Sequence, residues 1–280
     1  MHGKTVVATG ATSGIGQAAV LALAGMGARI VLVARNEKRA AATLERLEAA
    51  APRRGHRSHL ADLMSMADSR RVGAAIAASE RKIDVLINNA GAMFAERRTT
   101  AEGLERTFAL NHMAYFVLTA ALIGNLKGSA PARIVSTASG AHAGARLDFD
   151  DLQSERGYSA FKAYARSKLA NILFTRELAR RLAGTGVAAN CFHPGFVASR
   201  FGDEAGGLVG RLFPLAKLAG LSPEKGADTL VYLTSAPDAA SASGAYFVKR
   251  RIAEPSAAGR DDNAAKRLWQ ASESLAGPWP

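Results

Sequence analysis

The chain has a single cysteine among 280 residues. That excludes an internal disulfide framework and leaves Cys191 as a small apolar residue in a strand-like stretch. No basic region followed by an apolar run opens the chain; it enters a strand-like segment at Lys4, so no signal peptide or membrane anchor is expected and a cytoplasmic location is. No Gly-x-Ser-x-Gly elbow occurs, so His142 and His193 read as structural rather than as bases of a serine hydrolase. No metal site is expected. Acidic residues are outnumbered, 24 against 36 basic, for a net charge of +12. A surplus of that size suits nucleic acid or an anionic surface. Here, however, the basic residues fall in scattered doublets, Arg53-Arg54, Arg70-Arg71, Arg97-Arg98, Arg180-Arg181 and Arg250-Arg251, with no zinc-finger or RNA-recognition signature. They read as a solvated surface, and no nucleic-acid partner is expected.

What is present is an ordinary globular balance, 48% hydrophobic and 21% charged, which confines expected disorder to the ends. Val- and Ile-rich runs alternate with Ala- and Leu-rich helical patterns. Strands are expected near 5–8, 29–33, 57–60, 84–87, 133–136, 187–192 and 245–248, and helices near 15–26, 37–50, 65–78, 101–122 and 158–182. Continuous apolar strands alternating with helices imply an α/β fold, a single doubly wound domain over 1–280 with a parallel sheet and helices on both faces. Residues 196–225 interrupt the alternation with glycine, phenylalanine and leucine, among them Phe201, Leu208, Val209, Leu212, Phe213, Leu215 and Leu218; they form either a substrate lid or a packing surface. Residues from about 250 onward form a C-terminal tail.

Between the first strand and first helix stands Thr9-Gly10-Ala11-Thr12-Ser13-Gly14-Ile15-Gly16. Glycines there permit a tight turn and let backbone N–H groups approach a pyrophosphate at the helix N-terminus, implying a dinucleotide site of Rossmann type. The Gly-x3-Gly-x-Gly spacing resembles that of the short-chain dehydrogenase/reductase family, and further matches follow in order. Asp62-Leu63 is similar to the family's adenine-contacting pair, and Asn88-Asn89-Ala90-Gly91 to its cofactor-lining turn. Asn111, Ser139, Tyr164 and Lys168 match its Asn, Ser and Tyr-x3-Lys. His193-Pro194-Gly195-Phe196-Val197 resembles its turn beside the nicotinamide, with Ser199 where many members have Thr. The resemblance implies cofactor contacts from Gly10, Ser13, Gly14, Ile15, Gly16, Asp62, Leu63, Asn89, Ala90, Gly91, Tyr164, Lys168, Pro194, Gly195, Val197 and Ser199. It also implies that Ser139 binds the substrate oxygen, Tyr164 transfers a proton, Lys168 holds the nicotinamide ribose, and Asn111 anchors a water relay.

The runs 28–36, 135–142 and 163–182, with Leu268-Trp269-x2-Ser272-x2-Leu275 in the tail, are similar to the retinol-dehydrogenase-like branch. The resemblance implies a hydride-transfer enzyme that interconverts an alcohol and an aldehyde or ketone. The rival reading is a catalytically silent NADP(H) sensor or scaffold on the same fold. Substrate, direction and oligomeric state, including a homo-oligomer, stay open, with an apolar substrate favoured.

Two residue-level choices remain. After the second strand, where NAD-specific members carry an acidic residue, this chain has Ala34-Arg35-Asn36, and the Arg35 guanidinium suits the 2′-phosphate of NADP(H). There are also two Tyr-x3-Lys matches, Tyr158–Lys162 and Tyr164–Lys168. Ser167-Lys168-Leu169-Ala170-Asn171 resembles the branch and selects the second. Tyr164 and Lys168 share one helical face. A free tyrosine has a pKa of about 10, so a neighbouring ammonium favours the phenolate needed near neutrality. On one continuous helix Tyr158 and Tyr164 would point about 120° apart, on different faces.

Overall fold

Val6, Val7 and Ala8 are wholly buried, which requires the first strand to be covered on both faces. The computed structural model describes residues 1–197 and 220–280, and in it β1 (Thr5–Thr9) lies at the centre of an eight-stranded sheet. The other strands are β2 (Arg29–Ala34), β3 (Arg57–Leu60), β4 (Val85–Asn88), β5 (Ala132–Thr137), β6 (Val187–His193), β7 (Tyr246–Val248) and β8 (Arg251–Ala253), in the order β3-β2-β1-β4-β5-β6-β7-β8. β1 pairs in parallel with both β2 and β4. The strand order therefore reverses beside β1, and a crevice opens at the carboxyl ends of the strands, where such sheets bind ligands.

Alternate strand residues feed two cores. Val7, Val31, Leu86 and Ile134 face one side, packed by α3 (Met66–Ser79), α4 (Ala114–Gly128), α5 (Ala160–Arg181) and α7 (Asp262–Ala276). Val6, Ile30, Leu32 and Ile87 face the other, packed by α1 (Gly14–Gly25), α2 (Glu37–Ala50) and α6 (Pro223–Ser235). The doubly wound architecture is thus as the apolar runs imply.

Four features depart from the sequence expectations. First, β8 runs antiparallel to β7. The two-residue turn between them places Lys249 and Arg250 at φ 50° and 63°, a conformation ordinarily marked by Asn-Gly, so Lys-Arg carries no hairpin signal. The turn is held to α6 by Arg250, which ion-pairs with Asp228 and donates its backbone N–H to Thr229 Oγ1 at 3.1 Å. Second, the helix expected from about 101 begins at Arg106, contains a π segment at Ala109–Met113, and runs on as α4 to Gly128. This stretch is long and apolar enough to cross a membrane, but it is mostly buried within the fold. Third, Tyr158 precedes α5, so the two tyrosines do not share a helix. Fourth, the tail is no loose end: α7 buries Leu268 and Trp269 to 1% exposure. Ser199 and the lid residues Phe201, Leu208, Val209, Leu212, Phe213, Leu215 and Leu218 lie outside the described residues.

Candidate active site

The glycine loop closes onto the end of β4. Gly10 has φ +61°, and a Cβ there would lie 2.6 Å from Ala90 Cα; one on Gly16 would lie 2.3 Å from the Gly10 carbonyl oxygen and 2.5 Å from Asn89 Nδ2. Both positions therefore exclude any larger residue. Thr9 Oγ1 accepts from the N–H groups of Asn89 and Ala90 at 2.9 and 3.1 Å. Asn89 Nδ2 donates to the Gly10 carbonyl at 2.9 Å, while its Oδ1 accepts from Thr137 Oγ1 at 3.0 Å. One amide side chain thus ties together the ends of β1, β4 and β5.

Ser13 caps α1 with extended backbone geometry but no side-chain hydrogen bond, and no acidic residue occupies the first turn. The N-terminal end of α1, with Gly14, Ile15 and Gly16, therefore keeps the partial positive charge that suits a phosphate. Arg35 lies exposed just past β2, and Asn36 Oδ1 caps α2 by accepting from Arg39 N–H at 2.9 Å. At the end of β3, Asp62 Oδ1 accepts from Met64 N–H at 3.1 Å and Leu63 is 7% exposed. Asp62 shapes that turn while lying on the same sheet edge as the glycine loop.

Ser139 follows β5 and caps a short 3-10 turn, Gly140–Gly144, its Oγ accepting from Ala141 N–H at 3.2 Å. It also hydrogen-bonds the Tyr164 hydroxyl. Burial pushes the Tyr164 phenol up to about 12, against the pull of that bond. Lys168, on the next turn of α5, donates from Nζ to the Thr137 carbonyl at 3.0 Å and sits 5.6 Å from the Tyr164 ring centre. Burial lowers its pKa to about 7. The expected lowering of the phenol by the ammonium is therefore not what dominates here, because desolvation acts on both groups and favours their neutral forms.

Asn111 lies in the π segment, a distortion that often accompanies function. Its Oδ1 accepts from Ala92 N–H and its Nδ2 donates to the Ala92 carbonyl, each at 2.9 Å. A Cβ on Gly91 would lie 3.2 Å from Asn111 Oδ1 and 3.4 Å from Lys168 Nζ, so the turn after β4, the π segment and α5 meet at this glycine. The structure thus brings Asn89, Ala90, Gly91, Asn111, Ser139, Tyr164 and Lys168 together on one sheet edge.

Comparison with known proteins identifies the family. The short chain dehydrogenase family model matches residues 4–206. This chain is a short-chain dehydrogenase. It is similar to human retinol dehydrogenase 14, at 40% identity over 99% of this chain and 87% of the relative, and to human retinol dehydrogenase 13, at 39% over 98% and 85%. Among solved structures it resembles an uncharacterized protein from Mycobacterium Paratuberculosis, with TM-score 0.79 and 30% identity over 100% of this chain and 96% of that one. It also resembles the Pseudomonas aeruginosa RhlG/NADP active-site complex, with TM-score 0.69 and 28% identity over 88% and 94%. The chain is accordingly an oxidoreductase of a family that uses a nicotinamide dinucleotide, within a retinol-dehydrogenase-like branch.

The remaining candidate residues and their neighbours frame this centre. His193 Nδ1 accepts from Gly140 N–H at 3.1 Å, and His142 joins the Ser139 carbonyl at 2.6 Å to the Ser256 N–H at 3.1 Å. Both imidazoles hold turns. After Pro194, Gly195 adopts φ +85°, where a Cβ would lie 2.8 Å from Leu221 Cδ1. Val197 bridges to Leu221 and packs over Gly226, whose absent Cβ would lie 2.5 Å from Val197 Cγ2 and 2.8 Å from Ile15 Cγ2. The Tyr158 hydroxyl donates to the Phe94 carbonyl at 2.8 Å. Thr9 and Thr137 carry structural roles that the motifs did not mark, since a threonine ending a strand has no distinguishing local pattern. Cys191 is 1% exposed, its thiol pushed up to about 12 by burial, as suits a core residue.

Proposed function

We propose that this short-chain dehydrogenase interconverts an alcohol and an aldehyde or ketone, using NADP(H) and Tyr164 as the proton carrier. The observation that carries this reading is the hydrogen bond between Tyr164 and Ser139 with Lys168 alongside. A nicotinamide bound there would supply or take up the hydride. The residues present fit such a cofactor: an α1 N-terminus without an acidic residue, a glycine loop packed tightly on Asn89 and Ala90, and the exposed Arg35 past β2.

Ser139 Oγ and the Tyr164 hydroxyl are placed to bind one substrate oxygen between them, so that charge developing there is met by two fixed donors. In carbonyl reduction Tyr164 gives its proton to that oxygen, and in alcohol oxidation the same atom takes it back. A phenol near 12 binds its proton too tightly to release it readily at neutral pH. The chemistry therefore requires Lys168 in its ammonium form, which favours the phenolate. Arg35 would hold the 2′-phosphate through charge-assisted hydrogen bonds.

An apolar substrate suits the half-exposed Phe196 and Leu221 at the turn after β6, which are 49% and 40% exposed. The relatives named for retinol make retinal a member of the test panel. NADPH oxidation measured against aldehydes and ketones of graded hydrophobicity, retinal included, checks the reading. Turnover that rises with hydrophobicity is expected. Tight NADPH binding with no turnover on any member would replace the enzyme by a cofactor-binding sensor, and a preference for small polar carbonyls would remove the apolar pocket.

A further inference from the structure

The Asn111 side chain keeps a second amide hydrogen beyond the one donated to the Ala92 carbonyl. Nδ2 donates it to Ser167 Oγ at 2.9 Å. Ser167 in turn donates its single hydroxyl hydrogen to the Tyr164 carbonyl at 2.7 Å. With that hydrogen committed, Ser167 Oγ can only accept from Asn111. The result is one unbroken chain of hydrogen bonds: Ala92 backbone, Asn111 amide, Ser167 hydroxyl, Tyr164 carbonyl. It joins the turn after β4, the π segment and the helix that bears Tyr164 and Lys168. Asn111 is 0% and Ser167 1% exposed, so water cannot substitute for a missing partner without the site opening.

We infer that Ser167 is a positioning residue for the dehydrogenase centre, setting the spacing between Asn111 and α5. The inference rests on the proposed catalytic roles of Tyr164, Lys168 and Asn111. Its physical basis is convergence beside Gly91: Asn111 Oδ1 and Lys168 Nζ lie 3.2 and 3.4 Å from the point a Cβ there would take, and Ser167 is joined both to Asn111 and to the Tyr164 carbonyl of α5. A shift by Asn111 is therefore passed to the Ala92 backbone that it grips, next to Gly91, and alters the spacing between Asn111 and Lys168. Loss of the Ser167 oxygen leaves a buried N–H unpaired, and Asn111 must move to find another acceptor. Ser167 also lines a small cavity with Phe108 and Ala163.

The test combines Ser167→Ala, Ser167→Thr and Asn111→Ala. Ser167→Ala is expected to lower kcat about 10-fold, with smaller changes in KM and NADPH affinity, since the glycine loop and Arg35 are not joined to this hydrogen-bond chain. Hydrogen exchange at the Ala92 amide, held by Asn111 Oδ1, is expected to quicken by a similar factor. Ser167→Thr, which restores the hydroxyl, returns both readings toward wild type. In the Asn111→Ala background, Ser167→Ala produces no further fall in kcat, because its effect travels through Asn111. If Ser167→Ala does not fold, Ser167→Cys, a weaker acceptor of similar size, takes its place in every comparison. The inference is overturned if the hydroxyl-free variant keeps wild-type kcat and Ala92 exchange, or if its effect multiplies with that of Asn111→Ala. An inactive wild-type protein would instead overturn the enzymatic reading, and Ala92 exchange would still report whether Ser167 holds Asn111.

Discussion

Lys168 Nζ lies 5.6 Å from the centre of the Tyr164 ring and 5.9 Å from that of Tyr115, with the Thr137 carbonyl as its hydrogen-bond acceptor. An ammonium in this place is held by two aromatic faces and one carbonyl. Burial lowers its pKa from 10.5 to about 7, so the charged form costs stability.

The sign of that cost is testable. Between pH 7 and 10.5 the unfolded chain holds a proton on Lys168 that the folded chain has released, so this group makes stability rise with pH across that window. Below pH 7 the full cost of the buried charge remains. Lys168→Met is expected to raise Tm, by on the order of 4 kcal/mol in stability at pH 6 and much less near pH 10. Tyr164 acts in the opposite sense, its stabilising proton being lost as pH rises from 10 to about 12. Thermal unfolding of both proteins from pH 6 to pH 10 checks this, and a gap that does not narrow would contradict it.

Tyr164 and Tyr158 are to be separated by kinetics. Tyr164→Phe is expected to lower kcat at least ~10²-fold, as for loss of a general acid, while NADPH binding stays measurable. The Tyr158 hydroxyl donates to the Phe94 carbonyl, so Tyr158→Phe is expected to cost about 1 kcal/mol of stability with a much smaller effect on kcat. An inactive Tyr158→Phe beside an active Tyr164→Phe would move the proton carrier to the other tyrosine.

Arg35 is expected to decide cofactor preference. A charge-assisted contact is worth about 1.5–3 kcal/mol, so Arg35→Ala should lower kcat/KM with NADPH roughly 10- to 100-fold and leave NADH little changed. Steady-state kinetics with both cofactors measures this directly. Equal losses for the two would show that Arg35 does not read the 2′-phosphate.

Gly16→Ala tests the packing of the glycine loop. Its Cβ would lie 2.3 Å from the Gly10 carbonyl and 2.5 Å from Asn89 Nδ2, so backbone must move. The expected cost is about 1–3 kcal/mol of stability, together with loss of NADPH binding as the Asn89 contacts shift. Fluorescence titration with NADPH and chemical denaturation measure the two effects, and wild-type values in both would mean that the loop is looser than its contacts imply.

Trp269 anchors the C-terminal helix. It is 1% exposed, stacks on Phe174 at 5.9 Å, meets Phe116 at 5.1 Å, and has the Arg181 guanidinium 4.3 Å over its ring. Trp269→Ala is expected to cost about 3–5 kcal/mol, read as a lower denaturation midpoint.

How much of this was legible in the residues follows from the range over which each signal acts. The alternation of apolar strands and helices, the glycine loop, and the order of Asn111, Ser139, Tyr164 and Lys168 are local patterns, and they sufficed for the doubly wound sheet and for naming the residues that gather at its edge. The turn that reverses β7 into β8 escaped because its Lys249-Arg250 conformation is imposed by Asp228 and Thr229 of α6, far away in sequence. The burial of α7 depended on Phe116 and Phe174, contributed by two other helices. The same holds for the electrostatics. Tyr164 and Lys168 four apart on a helix determine that the two groups are neighbours. That burial drives both toward their neutral forms, and that Ser167 ties Asn111 to their helix, was decided only when the tertiary structure excluded water from around them.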